Sequence, residues 1–171
     1  MALLPIKIYG EDVLRRKSVN FESLDGDAIQ FLKDLKQTML QARGLGLAAN
    51  QVGKALRAFA IDLSQFDVLA EPKVIINPEI MDAGGNIITA EEGCLSFPGL
   101  YQTIERQEKV TIKSLSLEGK EYYFDASGMV ARVIQHEIDH LDGILFIDRM
   151  TSAQRTLIKR KLTRIKAGEK V

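Results

Sequence analysis

Apolar residues recur at intervals of three and four in three stretches of the chain. In the first, Ile29, Leu32, Leu35 and Met39 share one helical face, with Asp25 or Asp27 ahead of them as a cap and Gly44 placed to end the run. In the second, Val130, Ile134, Ile138 and Leu141 form a stripe that Met129 and Val133 extend onto the neighbouring face. A helix starting near residues 125–127, ending near Gly143 and apolar on most sides is expected to be buried and central. The third pattern opens at Ser152 and predicts a helix that buries Leu157, Ile158, Leu162 and Ile165. Between the first two, residues 55–63, 73–77 and 86–89 read as strands. Val110 and Ile112 alternate with polar neighbours, and Glu118-Gly119 offers a hairpin turn into Tyr122-Tyr123-Phe124. Strands in the middle with helices at either end predict an α+β fold. Small antiparallel or mixed β-sheets would pack around the central buried helix, flanked by an N-terminal and a C-terminal helix. No repeat or low-complexity linker divides the chain, so residues 1–171 are expected to form a single domain.

Composition narrows the class. With 46% hydrophobic and 27% charged residues the chain is globular, not disordered. One Cys excludes an internal disulfide framework and points to a reducing compartment, the cytoplasm. Neither a membrane span nor a signal peptide is expected. A formal net charge of zero hides an asymmetry: residues 152–171 hold seven basic side chains and one acid, so the rest of the chain is acidic by six charges. This basic end is either the solvated face of an amphipathic helix or an electrostatic contact.

The two histidines bring in chemistry. They stand four apart, as His136-Glu137-Ile138-Asp139-His140 on the predicted central helix. Positions i and i+4 share a face, so both imidazoles can meet one cation while Glu137 points beside it. The alternative is a pair of structural histidines. Metalloproteases with this pattern draw a third ligand from downstream, but Phe146 stands where a third His would fall, and no acid occurs about twenty residues on. The soft ligand left is Cys94, in Glu91-Glu92-Gly93-Cys94-Leu95-Ser96 at the end of a strand pattern. In isolation it would read as a small buried hydrophobe. Cys94, His136 and His140 would give an S, N, N site with an open fourth position, where water is acidified into a nucleophile. Glu137 would accept and return the proton, and the Leu95 N–H and Gln51 would meet the oxyanion; that chemistry is hydrolysis of an amide or related acyl bond. Gly44-Leu45-Gly46-Leu47-Ala48-Ala49-Asn50-Gln51 lacks the Gly-Lys-Ser/Thr ending of a phosphate loop. It reads as a tight turn after a helix, or as one wall of a cleft, where Gly46 lets an extended peptide approach.

These three segments, in this order and spacing, resemble the three motifs of the peptide deformylase family, and the resemblance covers essentially the whole chain. It implies removal of the N-formyl group from the initiator methionine of nascent bacterial or organellar polypeptides, with release of formate. It maps the metal to Cys94, His136 and His140, the acid/base to Glu137, oxyanion binding to Gln51 and the Leu95 N–H, and substrate-backbone pairing to Gly46. It also implies one divalent ion per chain, Fe(II) by preference, with zinc, nickel or cobalt able to replace it. Asn50 stands where relatives often have Thr or Ser, with no expected change of chemistry, and contacts on the rim near Tyr101 stay open. Leu45 and Val133 are expected to line a methionine pocket, or else to serve core packing. Arg106 is expected to pair with Glu92, either as a clamp behind the site or as a surface ion pair. The basic end would contact ribosomal RNA where nascent chains emerge. Two rivals remain: another metallohydrolase of small amides, and a non-catalytic metal module with Cys94 as redox sensor. Glu137 and the oxyanion donors argue against the second, because a sensor needs neither.

Overall fold

The structure, a computed structural model, describes residues 2–169. Its elements are α1 (Gly26–Gln41), β1 (Gly46–Ala48), β2 (Ala58–Ile61), β3 (Lys73–Gly93), β4 (Tyr101–Leu115), β5 (Glu121–Ser127), α2 (Gly128–Leu141) and α3 (Ser152–Lys166), with short 3₁₀ turns between them. The expected α+β class holds, but the strands form one five-stranded sheet in the order β1-β2-β3-β4-β5, every pair antiparallel, not several small or mixed sheets. The strands expected at residues 73–77 and 86–89 both belong to a single one. β3 is 21 residues long and pairs with the 15-residue β4 from Ile76↔Leu115 to Gly93↔Tyr101. Register shifts at three places let the longer strand bend over its partner while the residues between stay in the ladder. The expected turn at Glu118-Gly119 does join β4 to β5.

Each helix starts where its cap allows. The Asp25 side chain accepts from Ala28 N, and Thr151 and Gln154 cap α3 reciprocally. The left-handed residue closing α1 is Arg43 (φ 55°), not the Gly44 that the sequence suggested. Gly44 answers a different need, since a Cβ there would come 2.8 Å from the Leu95 side chain. On α3, Leu157 is 85% exposed, against expectation, while Ile158 and Ile165 are buried and Leu162 packs beside them. One residue is about 100° of helical turn, enough to rotate Leu157 off that stripe.

α2 lies across the sheet with every residue from Ala131 to Leu141 buried. Ile134, Ile138 and Leu141 pack on Phe59, Ile61, Ile75 and Ile112. Burying each such side chain contributes about 1.5–3 kcal/mol, so this layer fixes the helix rigidly. A second cluster, around Phe97, Leu100 and Phe146, ties the turn after β3 to α3, with the Phe97 and Phe146 rings edge to face at 4.9 Å. Cys94 leans on this cluster, and α2 belongs to the first. The ends of both packed units therefore meet at one place.

Candidate metal centre

Two turns of chain geometry bring the donors together. On α2, His136 and His140 lie one helical turn apart with ring centroids 5.0 Å from each other. β3 ends at Gly93, and the turn that follows aims Cys94 at the helix, 3.1 Å from Sγ to His140 Nε2. One donor atom from each of Cys94, His136 and His140 lies within 4.8 Å of the others. His136 meets Glu92 through Nδ1 at 2.9 Å, which leaves Nε2 to face the cluster. A thiol and two ring nitrogens converging this closely form a donor set suited to one divalent cation.

The electrostatics of the cluster are opposed across the two rings. Burial lowers His136, yet hydrogen bonds to Cys94 and Glu92 and the neighbouring negative charge raise it to about 10. Burial, then the positive charge of His136 and Arg106, drives His140 far below its ordinary value. Two imidazoles this close do not both carry a proton's charge. Behind His136, Glu92 accepts from Arg106 Nε and Nη2, each at 3.0 Å, and from Arg132 Nη1 at 2.7 Å. Burial alone would raise the Glu92 carboxyl, but the bonds from His136 and Arg106 and the Arg106 charge hold it well below the carboxylate range. Arg106 also donates to Asp139, which in turn is held by Arg149 Nε at 3.1 Å and by Arg149 Nη2.

Glu137 differs from every other acid in the chain. It is 3% exposed, its Oε2 has no hydrogen-bond partner among the described residues, and burial is the main cause that raises it to about 7. A carboxyl so placed can exchange a proton near neutral pH. The space that Glu137 uses belongs to Gly46: a Cβ on Gly46 would come 2.8 Å from both Cγ and Cδ of Glu137. Gln51, 1% exposed, is fixed from both sides, its Oε1 accepting from Ala48 N at 2.8 Å and its Nε2 donating to Ser96 Oγ at 3.0 Å. The same Nε2 lies 3.4 Å from Cys94 Sγ, so a polar N–H is aimed beside the cluster.

These groups open into a cavity of about 490 Å³ whose wall includes Gly46, Gln51, Cys94, Leu95, His136 and Glu137. Leu45, 39% exposed, stands at its mouth, and buried Val133 lines it as well. Tyr101 is on the exposed rim. His140 does not line it and sits behind, almost wholly buried. Arg106 is also behind, 5% exposed and paired with Glu92, so the surface ion pair does not hold. The sequence reading missed Arg132, Asp139 and Arg149, and missed that Asn50 Nδ2 donates to the His140 carbonyl. A signal for two of them was present: Arg132 and Asp139 interrupt a helix otherwise read as buried, and a buried charge needs a partner.

A sequence model of the polypeptide deformylase family matches residues 3–156. The peptide deformylase of Thermodesulfovibrio yellowstonii is 44% identical over 94% of this chain and 97% of its own length. That of Syntrophobacter fumaroxidans is 42% identical over 94% of each. Among solved structures, the Thermus thermophilus peptide deformylase superposes with a TM-score of 0.89 at 36% identity, covering 98% of this chain and 99% of that one. The Synechococcus elongatus enzyme, solved in complex with actinonin, gives 0.85 at 38% identity, covering 98% of this chain and 89% of the other.

Proposed function

Because the chain belongs to the polypeptide deformylase family, metal-dependent hydrolases that remove the N-formyl group from nascent peptides, we propose that Cys94, His136 and His140 hold its metal and that Glu137, Gln51 and Leu95 carry the chemistry beside it. The observation that carries this reading is the convergence of three donor atoms within 4.8 Å next to a carboxylate oxygen with no partner. A divalent cation held there supplies Lewis-acid polarisation of the formyl carbonyl and acidifies water. Glu137 Oε2 takes the proton of the attacking water, which its raised proton affinity favours. Gln51 Nε2 and the Leu95 N–H donate to the oxyanion that develops on the formyl oxygen, and the Gln51 amide is fixed before reaction. Glu137 then returns the proton to the methionine nitrogen as the C–N bond breaks, and formate and a free amine leave.

Substrate binding follows from the cavity and from the sheet edge. Among the described residues β1 has only β2 as a strand neighbour, so Gly46 stands on an open edge where an extended peptide backbone can pair. Leu45 and Val133, with Met129 and Leu95, give the apolar wall that a methionine side chain needs. For the ion we take Fe(II), with zinc, nickel or cobalt as substitutes; one thiolate and two imidazoles accept any of these, and availability decides among them. The exposed basic residues of α3, Arg155, Lys159, Arg160, Lys161, Arg164 and Lys166, would contact ribosomal RNA; Lys170 lies outside the described residues. The site of action would be the cytoplasm or an organelle of bacterial origin. Among the described residues no helix is long and apolar enough to cross a membrane.

The test is formate release from a formyl-Met peptide under anaerobic conditions with defined metals. Release that a chelator stops and Fe(II) restores supports the assignment of function and ion; no release with any metal overturns it.

A further inference from the structure

The guanidinium of Arg149 is about half exposed, lies outside the catalytic cavity, and is joined to a metal-facing imidazole by an unbroken line of side chains. Arg149 donates through Nε and Nη2 to Asp139. Asp139 accepts from Arg106 Nη1. Arg106 forms two bonds of 3.0 Å to Glu92, and Glu92 Oε2 meets His136 Nδ1 at 2.9 Å. Signs alternate along the line, and every member but Arg149 is buried. A separate cavity of about 270 Å³, which shares no residue with the catalytic one, has Arg149, Asp139 and Arg106 in its wall.

We propose that Arg149 is a positioning residue for the metal centre, acting through Asp139, Arg106 and Glu92 on the orientation and ligand strength of His136. This rests on the assignment of His136 as a metal ligand. Asp139 serves two guanidiniums: Arg149 donates to both of its oxygens, and Arg106 Nη1 shares Oδ2 with Arg149 Nε. Once Arg149 is gone, the Asp139 charge has Arg106 alone, and Arg106 is drawn away from the oxygens of Glu92 that it holds in a bidentate grip. Glu92 keeps Arg132 and His136, and turns its freed charge towards the imidazole N–H. The hydrogen bond that orients a ligating histidine also sets its basicity, so the change reaches the ion without any contact to it.

The neighbouring pair provides a control. Arg15 bonds to Asp148, the residue before Arg149, with comparable exposure, but among the described residues neither makes a hydrogen bond to a member of the line. The experiment measures three quantities for wild type, Arg149→Met, Arg149→Lys, Arg15→Met and His136→Ala: the rate of metal release to a chelator, the visible absorption of the cobalt-loaded protein, and KM against kcat. Replacing a residue bonded directly to a ligand costs about 10- to 100-fold in metal affinity; three links away, Arg149→Met should speed release about 3- to 10-fold. It should also shift the cobalt bands and leave KM unchanged, with Arg149→Lys recovering most of the difference and Arg15→Met matching wild type. Release and spectra of Arg149→Met equal to wild type would overturn the proposal, as would the same change in Arg15→Met. If instead His136→Ala releases metal no faster than wild type, the ligand assignment itself fails, and the proposal that rests on it falls for that reason.

Discussion

Replacing Gly46 by Ala distinguishes two reasons for a glycine at the sheet edge. If the residue only grants an extended peptide close approach, a methyl group weakens binding, so KM rises and kcat stays. The geometry makes a different demand. The new Cβ would lie 2.8 Å from Cγ and Cδ of Glu137, whereas carbons in contact sit about 3.5–4.0 Å apart. Something must give by about 0.7–1.2 Å. β1 is held by its ladder to β2, and α2 is packed on every side, so the Glu137 side chain moves. Misplacing a catalytic group by about 1 Å costs on the order of 10²-fold, or about 2.7 kcal/mol of transition-state stabilisation. Steady-state kinetics on a formyl-Met peptide, with metal content measured in parallel, should show kcat for Gly46→Ala down about 100-fold at full metal occupancy. A kcat within threefold of wild type, with the loss confined to KM, would refute the claim that Gly46 makes room for Glu137.

Further outcomes follow from the same geometry. Glu137→Ala should keep its metal and lose turnover, whereas Cys94→Ser should lose metal affinity and activity together; metal analysis beside formate release separates them. Arg106→Met leaves Glu92 and Asp139 with one guanidinium each in a buried site, and should cost about 3 kcal/mol. In a chain of this size that is a fall of about 6–12 °C in Tm, read by thermal unfolding. Burial would raise the Asp148 carboxyl, but the Arg15 bond, the Leu145 N–H and the Arg15 charge together hold it below its ordinary 3.8. Its contribution is therefore present above about pH 4 and lost as pH falls through the lowered value, so the stability gap between wild type and Arg15→Met should close on acidification in denaturant titrations. Exchanging Lys159, Arg160 and Lys161 for Glu should abolish salt-dependent association with ribosomes while hydrolysis of a free peptide is unchanged.

The helices were legible because their apolar periods are long and their caps local: Asp25 and Thr151 act within three residues of themselves. The placement of Cys94 opposite His136 and His140 could be inferred because no other soft ligand remained. Two features escaped for one shared reason. The continuity of β3 depends on pairing with β4, and the line from Arg149 to Glu92 depends on residues up to 33 positions apart meeting in space; neither leaves a local period to read. Gly46 was recognised as a point of close approach, but the group that approaches it, Glu137, lies 91 positions downstream.

The gathering of both histidines and the lone cysteine into one cluster makes the chain its own probe. In most proteins of this size, imidazole resonances or thiol titrations average over several sites. Here every histidine ring signal and every equivalent of thiol reagent reports the same few ångströms. Metal loading, inhibitor binding and oxidation at the centre can each be followed on the unmodified chain, without labels and without a background to subtract.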